Sequence, residues 1–256
     1  MDSLWSRLTS SGPGWAWFVP ALFTVHVVSY WGTYAVFQAM HRAGVWAKWR
    51  VANGTPPSEA LMKKLYGRAI VSTLSFGGAA FVVYGALTLR GVDFSAPLPA
   101  WWTVAWQLPV FALVTDTTFY WLHRTLHRPF WFRRIHRLHH DFRYVRGLSA
   151  EYSNTLEDLG NFITSFAGPV LLGAHPFTVL VWFFLRMLET VDAHSGYAVP
   201  WSPWASRHAY HHEFNRGCFG AFFALWDRAL GTDKDWRAWK AKQAEPAKQP
   251  VQPAAS

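Results

Sequence analysis

The sequence predicts an all-α integral membrane protein, in which about four membrane-embedded helical stretches carry a cytoplasmic helical cap with a histidine-rich metal site. Three observations predict this class: long uncharged apolar stretches, a low content of charge, and two copies of the pattern His-x-x-His-His. Charged residues make up 15% of the chain, whereas soluble domains contain about 25%. The single cysteine excludes an intrachain disulfide and therefore a disulfide-stapled secreted fold.

Three uncharged apolar stretches, residues 15–40, 69–89 and 94–115, are each long enough to cross a membrane, because about 20 apolar residues span the hydrocarbon core. A fourth stretch, residues 159–185, is interrupted twice by glycine and proline. That interruption predicts a re-entrant helical hairpin rather than one straight span.

The basic residues predict which side of the membrane holds the histidines. The loop over residues 41–68 contains six lysines and arginines and one glutamate, so the positive-inside rule places it in the cytoplasm. The third stretch then returns the chain to the cytoplasm, and a hairpin over 159–190 keeps both His-x-x-His-His motifs on that side. The usage of alanine, tryptophan and arginine favours a bacterial inner membrane, with the endoplasmic reticulum as the alternative. The net charge of +9 fits cytoplasmic loops better than nucleic-acid binding.

The chain divides into three parts by composition. Residues 1–110 are predicted to hold the N-terminal membrane spans, and residues 111–240 a domain that contains the histidine motifs and that the family resemblance of these motifs implies to be catalytic. Residues 241–256 are polar and rich in proline and alanine, so we predict a disordered tail.

Nine of the twelve histidines occur at ligand-like spacings: His123, His127, His136, His139, His140, His194, His208, His211 and His212. On a helix, positions i, i+3 and i+4 share a face, so these spacings aim imidazoles at a common point. Neutral imidazole suits Fe, Zn, Cu or Ni, and nine rings exceed the four ligands of a structural zinc site. We therefore predict two metal ions, each with several imidazoles and open positions. His26, His41 and His175 lack such partners and are interpreted as packing or interfacial residues.

Several acids are candidates to orient the metal-binding rings. Asp116 lies seven residues before His123, on the same helical face, and could accept a ring N–H. It is the strongest candidate because an acid at the end of a membrane span needs a partner. Asp141, Glu189 and Asp192 are further candidates. A set of aromatic residues is predicted to line a lipid route or form an interfacial belt: Tyr120, Trp121, Phe132, Tyr197 and Trp201.

Five segments resemble the fatty acid hydroxylase/sterol desaturase superfamily, most of all its C-4 methylsterol oxidase branch: DTTFYWLHRTLH, HRLHHDF, LETVDAHSGY, HAYHHEF and WDRALGTD. The resemblance covers residues 110–235. It implies that the nine histidines bind a non-haem di-iron centre, with O₂ as co-substrate. It also implies electrons from a separate donor, such as cytochrome b5 or a ferredoxin with its reductase. No G-x-G-x-x-G fingerprint occurs, so no bound flavin or nicotinamide is expected.

One segment departs from the branch that the sequence resembles. After the histidine motif at residues 136–140, that branch reads Ala-Glu-Tyr-Ala-His-Pro-x-Glu, whereas Asn154 and Thr155 stand here in place of His-Pro. Glu157 is kept and is expected to support a ligand histidine. The change marks Asn154 as a candidate determinant of substrate specificity.

The resemblance leads to one functional hypothesis and two alternatives. The first is an O₂-dependent monooxygenase that oxidises a C–H bond of a sterol-like lipid, at a C-4 methyl group, by repeated hydroxylation. The second is a sterol C-5 desaturase or a hydroxylase of fatty acids or other lipids, because desaturation and hydroxylation share the first hydrogen abstraction. The third is a membrane metal-binding protein without turnover.

Overall fold

The computed structural model of the protein describes residues 2–10, 12–51, 56–200 and 202–244. These residues form α-helices and three short 3-10 helices and contain no β-strand, which confirms the predicted all-α class. One isolated antiparallel bridge joins Arg50 and Tyr197. The α-helices are α1 (Asp2–Ser10), α2 (Gly14–Arg42), α3 (Glu59–Leu89), α4 (Trp101–Leu126), α5 (Pro129–Arg134), α6 (Thr155–Leu171), α7 (Pro176–Ala193), α8 (Pro203–Phe214), α9 (Leu225–Leu230) and α10 (Lys234–Ala244). The 3-10 helices are Ala47–Trp49, His136–Asp141 and Gly147–Glu151.

The three long helices α2, α3 and α4 include most of the three uncharged stretches. They contain 29, 31 and 26 residues, so each exceeds a hydrocarbon core of about 30 Å at about 1.5 Å per residue. Among the helices of the described residues, α3 meets the joint criterion of length and apolar composition for a membrane span, with a mean hydropathy of 1.7. The predicted number of spans stays a prediction.

The fourth apolar stretch forms two helices, as its interruption predicted. Helix α6 ends before Gly173, whose φ of +54° belongs to the left-handed region that glycine adopts at low cost. Helix α7 begins at Pro176, and the ring of His175 accepts the backbone N–H of Phe177 at 3.1 Å. The re-entrant position of this hairpin in a bilayer stays a prediction.

Helices α2, α3, α4, α6 and α7 pack into one core. Helix α2 lies against α3 and α7, while α4 lies against α6. Trp182 of α7 is buried and donates its indole N–H to the carbonyl of Ser165 at 2.7 Å. On α6, Gly168 lets α4 approach closely, because a Cβ at this position would lie 3.0 Å from the Cα of Phe111. The core therefore fixes the ends of α4 and α7, which carry histidines.

The C-terminal part adds two short helices and α8. Helix α10 extends to Ala244, so the first four residues of the predicted disordered tail are helical. The remainder of that tail, residues 245–256, lies outside the described residues.

Candidate metal centre

The nine predicted ligands come together in two groups, in each of which one nitrogen per ring lies within 4.8 Å of the others. The five-histidine group consists of His123, His127, His136, His140 and His211. The four-histidine group consists of His139, His194, His208 and His212. His26, His41 and His175 belong to neither group, as predicted.

Each His-x-x-His-His motif contributes to both groups, which the sequence did not predict. His136 and His140 join the five-histidine group, whereas His139 between them joins the other. This motif forms a 3-10 helix rather than an α-helix. On α8, the consecutive residues His211 and His212 point about 100° apart, and their ring centroids are 5.8 Å apart. The i, i+4 pairs His136–His140 and His208–His212 each converge in one group, as the spacing predicted, whereas the third ring of each motif points to the other group.

The two groups are neighbours. Across the boundary between them, the ring centroids of His140 and His212 lie 4.6 Å apart, and those of His136 and His139 lie 5.4 Å apart. Ions held in the two groups would therefore share one buried site rather than occupy two remote ones.

Hydrogen bonds to the main chain fix the protonation of four of these nine rings. Four Nδ1 atoms lie against main-chain carbonyls: His123 to Phe219 at 3.1 Å, His139 to Tyr152 at 3.3 Å, His194 to Thr190 at 2.9 Å and His211 to Gly217 at 2.6 Å. A carbonyl oxygen can only accept, so each of these Nδ1 atoms carries the proton. In the neutral ring, Nε2 is then a free lone pair suited to bind a metal.

The free Nε2 atoms face each other at distances that suit a bound cation. The Nε2 atoms of His139 and His194 are 3.4 Å apart, and those of His123 and His136 are 3.2 Å apart. Lone pairs facing at this distance repel unless a cation attracts both. Two nitrogens about 2.0–2.1 Å from one ion lie about 2.9 Å apart at a right angle and about 3.4 Å apart at a tetrahedral angle. The donor set therefore fits a metal ion in each group.

Burial keeps the rings in the neutral form that binds metal. Burial lowers the pKa of His139 to about 4. It also lowers the pKa of His140 and of His212 well below the ordinary value, and neighbouring imidazoles lower both further. Protons therefore compete weakly with a metal at these positions.

Of the acids predicted to orient ligand rings, Glu157 makes such a contact. It is buried, and its carboxylate accepts the Nδ1–H of His136 at 2.8 Å. Burial raises the pKa of Glu157 well above its ordinary value. The contact lets this carboxyl orient His136 and increase the basicity of the ring.

Asp116 has a different partner from the one predicted. Its buried carboxylate accepts three backbone N–H groups, from Ala221 at 3.1 Å and from Phe223 and Leu225 at 3.2 Å each. It therefore holds the segment between α8 and α9. That segment contains Phe219, whose carbonyl accepts from His123, so Asp116 acts on the ligand through the loop.

The other three candidate acids also contact groups other than ligand rings. Glu189 forms an ion pair with Arg186. Asp192 accepts from the hydroxyl of Ser202 and from the indole N–H of Trp204 at 2.6 Å. Asp141 is exposed. Their predicted contacts with ring N–H groups were wrong, because nearer hydroxyl, indole and guanidinium donors occupy the carboxylates of Glu189 and Asp192.

A cavity of about 370 Å³ reaches both histidine groups. His123 and His136 of one group and His139, His194 and His208 of the other lie on its wall. The remaining wall is largely apolar and comes from α3, α6 and α7, including Phe76, Phe162 and Phe183. Val71 and Val82 of α3 lie on this wall and are 53% and 62% exposed, so the cavity reaches the outer surface at α3.

The predicted aromatic route does not coincide with this cavity. Tyr120, Trp121, Phe132 and Tyr197 are absent from its described wall, and Trp201 lies outside the described residues. Tyr120 instead contacts Thr232, with 3.2 Å between the hydroxyls, because the outer side of α4 packs against the C-terminal segment.

Asn154 has a structural contact that the sequence comparison did not predict. Its side-chain oxygen accepts the backbone N–H of Leu156 at 2.9 Å and so caps the N-terminus of α6. The cavity wall includes the next residue, Thr155, but not Asn154. The expectation that Asn154 decides the substrate stays a prediction.

Three polar elements of the site were missed by sequence reasoning. Arg186 is buried on the cavity wall, and its signal was a lone arginine inside an apolar helix. His26 pairs at 2.8 Å with Glu151, and Glu151 lies on the same wall. Asp227 accepts the N–H groups of Phe219 at 2.9 Å and Gly220 at 2.7 Å, and nothing in the sequence linked it to the histidines.

The described residues thus combine an all-helical fold with two adjacent histidine groups, each of which could hold a metal ion, on the wall of one largely apolar cavity. Residues 108–232 match the family model Fatty acid hydroxylase. A very-long-chain aldehyde decarbonylase of Oryza sativa subsp. indica is 31% identical over 262 residues, covering 97% of both chains. The chain belongs to the fatty acid hydroxylase superfamily, which confirms the resemblance inferred from its motifs.

Methylsterol monooxygenases are also relatives. Two from Arabidopsis thaliana are 33% identical over 80% of this chain and 81% of the relative, and 34% identical over 62% of this chain and 66% of the relative. The relatives thus include both methylsterol monooxygenases and aldehyde decarbonylases, and the family is one of oxidase-type enzymes. No solved structure matches the chain.

Proposed function

We propose that this protein is a membrane-bound, non-haem di-iron monooxygenase that uses O₂ to oxidise a C–H bond of a sterol-like lipid, at a C-4 methyl group. The observation that carries the proposal is that one apolar cavity reaches both histidine groups. A metal pair at the end of an apolar cavity has the arrangement that oxidation of an apolar carbon requires.

The two groups supply the ligands that iron would need. The five-histidine group would hold one ion and the four-histidine group the other, and imidazole suits iron as well as zinc, copper or nickel. Membership of an oxidase-type family favours iron among these metals. Bound iron would supply activation of O₂ and removal of hydrogen from an unactivated carbon, which side chains cannot provide.

The chain itself holds the ligands and the substrate. The carbonyls of Phe219, Gly217 and Thr190 orient three rings by their Nδ1–H groups. Phe76 and Phe183 stack in parallel 4.9 Å apart on the cavity wall. Such a wall favours an apolar substrate and excludes water from the reacting carbon.

The surface near the cavity supports entry of the substrate from a bilayer. Ile70, Val71, Leu74 and Val82 are each more than half exposed on α3. A contiguous exposed apolar face of this kind marks a membrane or protein contact. A lipid could therefore move from the bilayer into the cavity past α3. The positive-inside rule would place the histidines in the cytoplasm, in a bacterial inner membrane or, as the alternative, on the endoplasmic reticulum.

Electrons would come from a separate carrier, such as cytochrome b5 or a ferredoxin with its reductase. Five arginines near the histidine motif at residues 136–140 are exposed: Arg128, Arg133, Arg134, Arg137 and Arg143. A positive surface near the metal groups would steer an acidic carrier to this face.

A second candidate function is conversion of a long-chain aldehyde. The observation that favours it is the similarity to an aldehyde decarbonylase over 97% of both chains. Sterol C-5 desaturation and hydroxylation of other lipids use the same ligand set and are further alternatives. The wall of the cavity is compatible with either a sterol ring system or an acyl chain.

The test is product analysis with the iron-loaded protein in membranes, supplied with O₂, a reductase and a carrier. We expect 4-methylsterols to yield 4-hydroxymethyl and 4-carboxy products. Unchanged 4-methylsterols beside a converted aldehyde or acyl chain would replace the proposal by the second candidate. The variant His139→Ala should lose iron and turnover, whereas the matched variant His175→Ala should lose neither.

Metal analysis separates an enzyme from a metal-binding protein without turnover. We expect about two iron ions per chain and O₂ uptake in the presence of a reductant. One tightly held zinc ion without O₂ uptake would support the non-catalytic alternative.

A further inference from the structure

Arg186 lies on the cavity wall beside the four-histidine group and is not a metal ligand. Its side chain is buried in α7, where its neighbours in sequence are apolar. Its Nη1 donates to the carboxylate of Glu189 and to the hydroxyl of Thr190. Its Nε is enclosed by protein, whereas its Nη2 keeps accessible surface and has no hydrogen-bond partner among the described residues. A charged donor without a partner at a nearly dry wall is costly, which suggests that a ligand in the cavity supplies an acceptor to Nη2.

Two aromatic rings hold the guanidinium in place. Its carbon lies 5.6 Å from the ring centroid of Phe119 and 5.8 Å from that of Phe222. Such rings attract the guanidinium and restrict its orientation, while the Nη2–H groups remain available in the guanidinium plane. Phe119 and Arg186 both line the cavity.

The guanidinium lies close to the histidines. It contacts Thr190, and the carbonyl of Thr190 accepts the Nδ1–H of His194 at 2.9 Å. Thr190 precedes His194 by four residues, about one helical turn or 6 Å. An acceptor bound to Arg186 would therefore lie within a few bonds of a carbon presented to the four-histidine group.

The charges on the cavity wall favour a neutral acceptor. The wall contains two arginines, each paired with an acid: Arg68 with Asp158, and Arg186 with Glu189. Glu151 and Glu157 add two further carboxyl groups. The protein side chains thus provide no excess positive charge for a carboxylate, whereas a hydroxyl or carbonyl oxygen only has to accept a hydrogen bond.

We propose that Arg186 determines specificity by binding a neutral oxygen of the lipid, a hydroxyl or a carbonyl, next to the carbon that is oxidised. The inference rests on the proposed function, because it assigns Arg186 to the substrate of that reaction. In a 4-methylsterol, the C-3 hydroxyl is bonded to the carbon adjacent to C-4, so this oxygen at Arg186 would bring the C-4 methyl group toward the histidines.

The experiment measures equilibrium binding to the iron-loaded, full-length protein in nanodiscs. The probes are 4,4-dimethylcholestanol with its 3-deoxy analogue, and hexadecanol with hexadecane and hexadecanoate. We expect the protein to bind the hydroxylated member of a pair roughly tenfold to a hundredfold more tightly than the analogue without oxygen, as for loss of a hydrogen bond to a charged group. Hexadecanoate should bind more weakly than hexadecanol.

The decisive variant is Arg186→Met/Glu189→Gln, because removing Arg186 alone would leave Glu189 buried without a partner. We expect this variant to keep its iron and to bind both members of each pair alike. The matched control Arg68→Met/Asp158→Asn removes the other arginine–acid pair of the cavity and should retain the preference for oxygen. If the decisive variant retains that preference as well, the role of Arg186 is wrong.

The two pairs of probes separate this inference from the proposed function. If the protein prefers hexadecanol over hexadecane through Arg186 but binds no sterol, the role of Arg186 is supported and the proposal of a sterol substrate is contradicted. If the unmodified protein binds both sterols with equal affinity, the role of Arg186 is contradicted while the proposal of a sterol substrate is still supported.

Discussion

The five-histidine group and the four-histidine group offer the same ligand chemistry, but different parts of the chain orient their rings. In the four-histidine group, His139 donates to the carbonyl of Tyr152, which directly follows a 3-10 helix. His194 donates to the carbonyl of Thr190 in α7, the helix that His194 itself caps. In the five-histidine group, the carbonyls of Gly217 and Phe219 belong to an irregular segment between α8 and α9. Two rings of the four-histidine group are therefore oriented by carbonyls in or directly next to a helix, whereas two rings of the five-histidine group depend on a loop.

That loop is held by residues distant in sequence and by unusual backbone conformations. Asp116 binds it from more than 100 positions away. Gly217 has a φ of +63°, and a Cβ there would lie 2.3 Å from the carbonyl oxygen of Thr232. The comparison teaches that changes remote from the metal ligands should affect the five-histidine group more than the four-histidine group.

The largest expected effect comes from removing one ligand in each group. We expect His211→Ala and His212→Ala each to lose about one of two bound ions and all turnover, because each group needs its own imidazoles. Metal analysis and O₂ uptake check both. His41→Ala, outside both groups, is the control. Loss of both ions from either variant would show that the groups act as one unit.

The next largest effect tests the loop. Asp116→Ala leaves three backbone N–H groups without their acceptor, and hydrogen bonds to charged groups are worth about 1.5–3 kcal/mol each. We expect the free energy of unfolding to fall by at least about 3 kcal/mol. We also expect the five-histidine group to bind its metal ion more weakly, while the affinity of the four-histidine group stays unchanged. Denaturant unfolding and a cobalt titration measure these quantities.

Asp93→Ala is the control for this test, because Asp93 is also an acid that accepts a backbone N–H, from Ser95 at 2.8 Å, in an exposed turn. We expect it to change neither quantity. If Asp116→Ala weakens metal binding equally in the five-histidine and the four-histidine group, the claim that the loop serves one group is contradicted.

The sequence predicted which histidines come together but not how they divide between the two groups. Imidazoles at repeated helical spacing carry a strong signal, so all nine were found, and they converge in the structure. The division of each motif between two groups depends on a 3-10 helix and on which neighbour faces each ring. The role of Asp116 depends on a loop more than 100 residues away, and no local pattern reports such a contact. The all-α class followed from the long apolar stretches and the low content of charge, while the cavity needed the packing of α3, α6 and α7.

A third effect concerns pH in the metal-free protein. Burial lowers the pKa of His139 to about 4, from an ordinary value of 6.5. Between about pH 6.5 and 4, His139 is protonated in the unfolded chain but neutral in the folded chain. The free energy of unfolding is therefore highest above about pH 6.5 and falls as the pH decreases toward 4. This ring alone accounts for about 3 kcal/mol. Denaturant midpoints at pH 7.5, 6 and 5 measure the fall, and His139→Phe should reduce it. A midpoint independent of pH would contradict the prediction.

A smaller effect concerns the carboxyl that orients one ring of the five-histidine group. Glu157→Gln keeps an oxygen that can accept from His136 but removes the carboxyl group. We expect metal affinity in this group to fall roughly tenfold to a hundredfold, as is typical for residues that orient ligands. A metal titration measures the change. Glu213→Gln, partly exposed near His212, is the control, and equal losses in the two variants would remove the special role of Glu157.

The smallest effect concerns Asn154, where the sequence departs from the methylsterol oxidase pattern. Because its side chain caps α6, Asn154→His/Thr155→Pro, which restores the pattern of that branch, should cost about 1 kcal/mol of stability. Asn154→Asp keeps the cap and should cost nothing measurable. Since Asn154 lies off the cavity wall and outside both histidine groups, iron content and the ratio of sterol to aldehyde products should stay unchanged. A shift in that ratio would mean that the cap of α6 sets the shape of the cavity, and it would support the sequence-based expectation that position 154 decides the substrate.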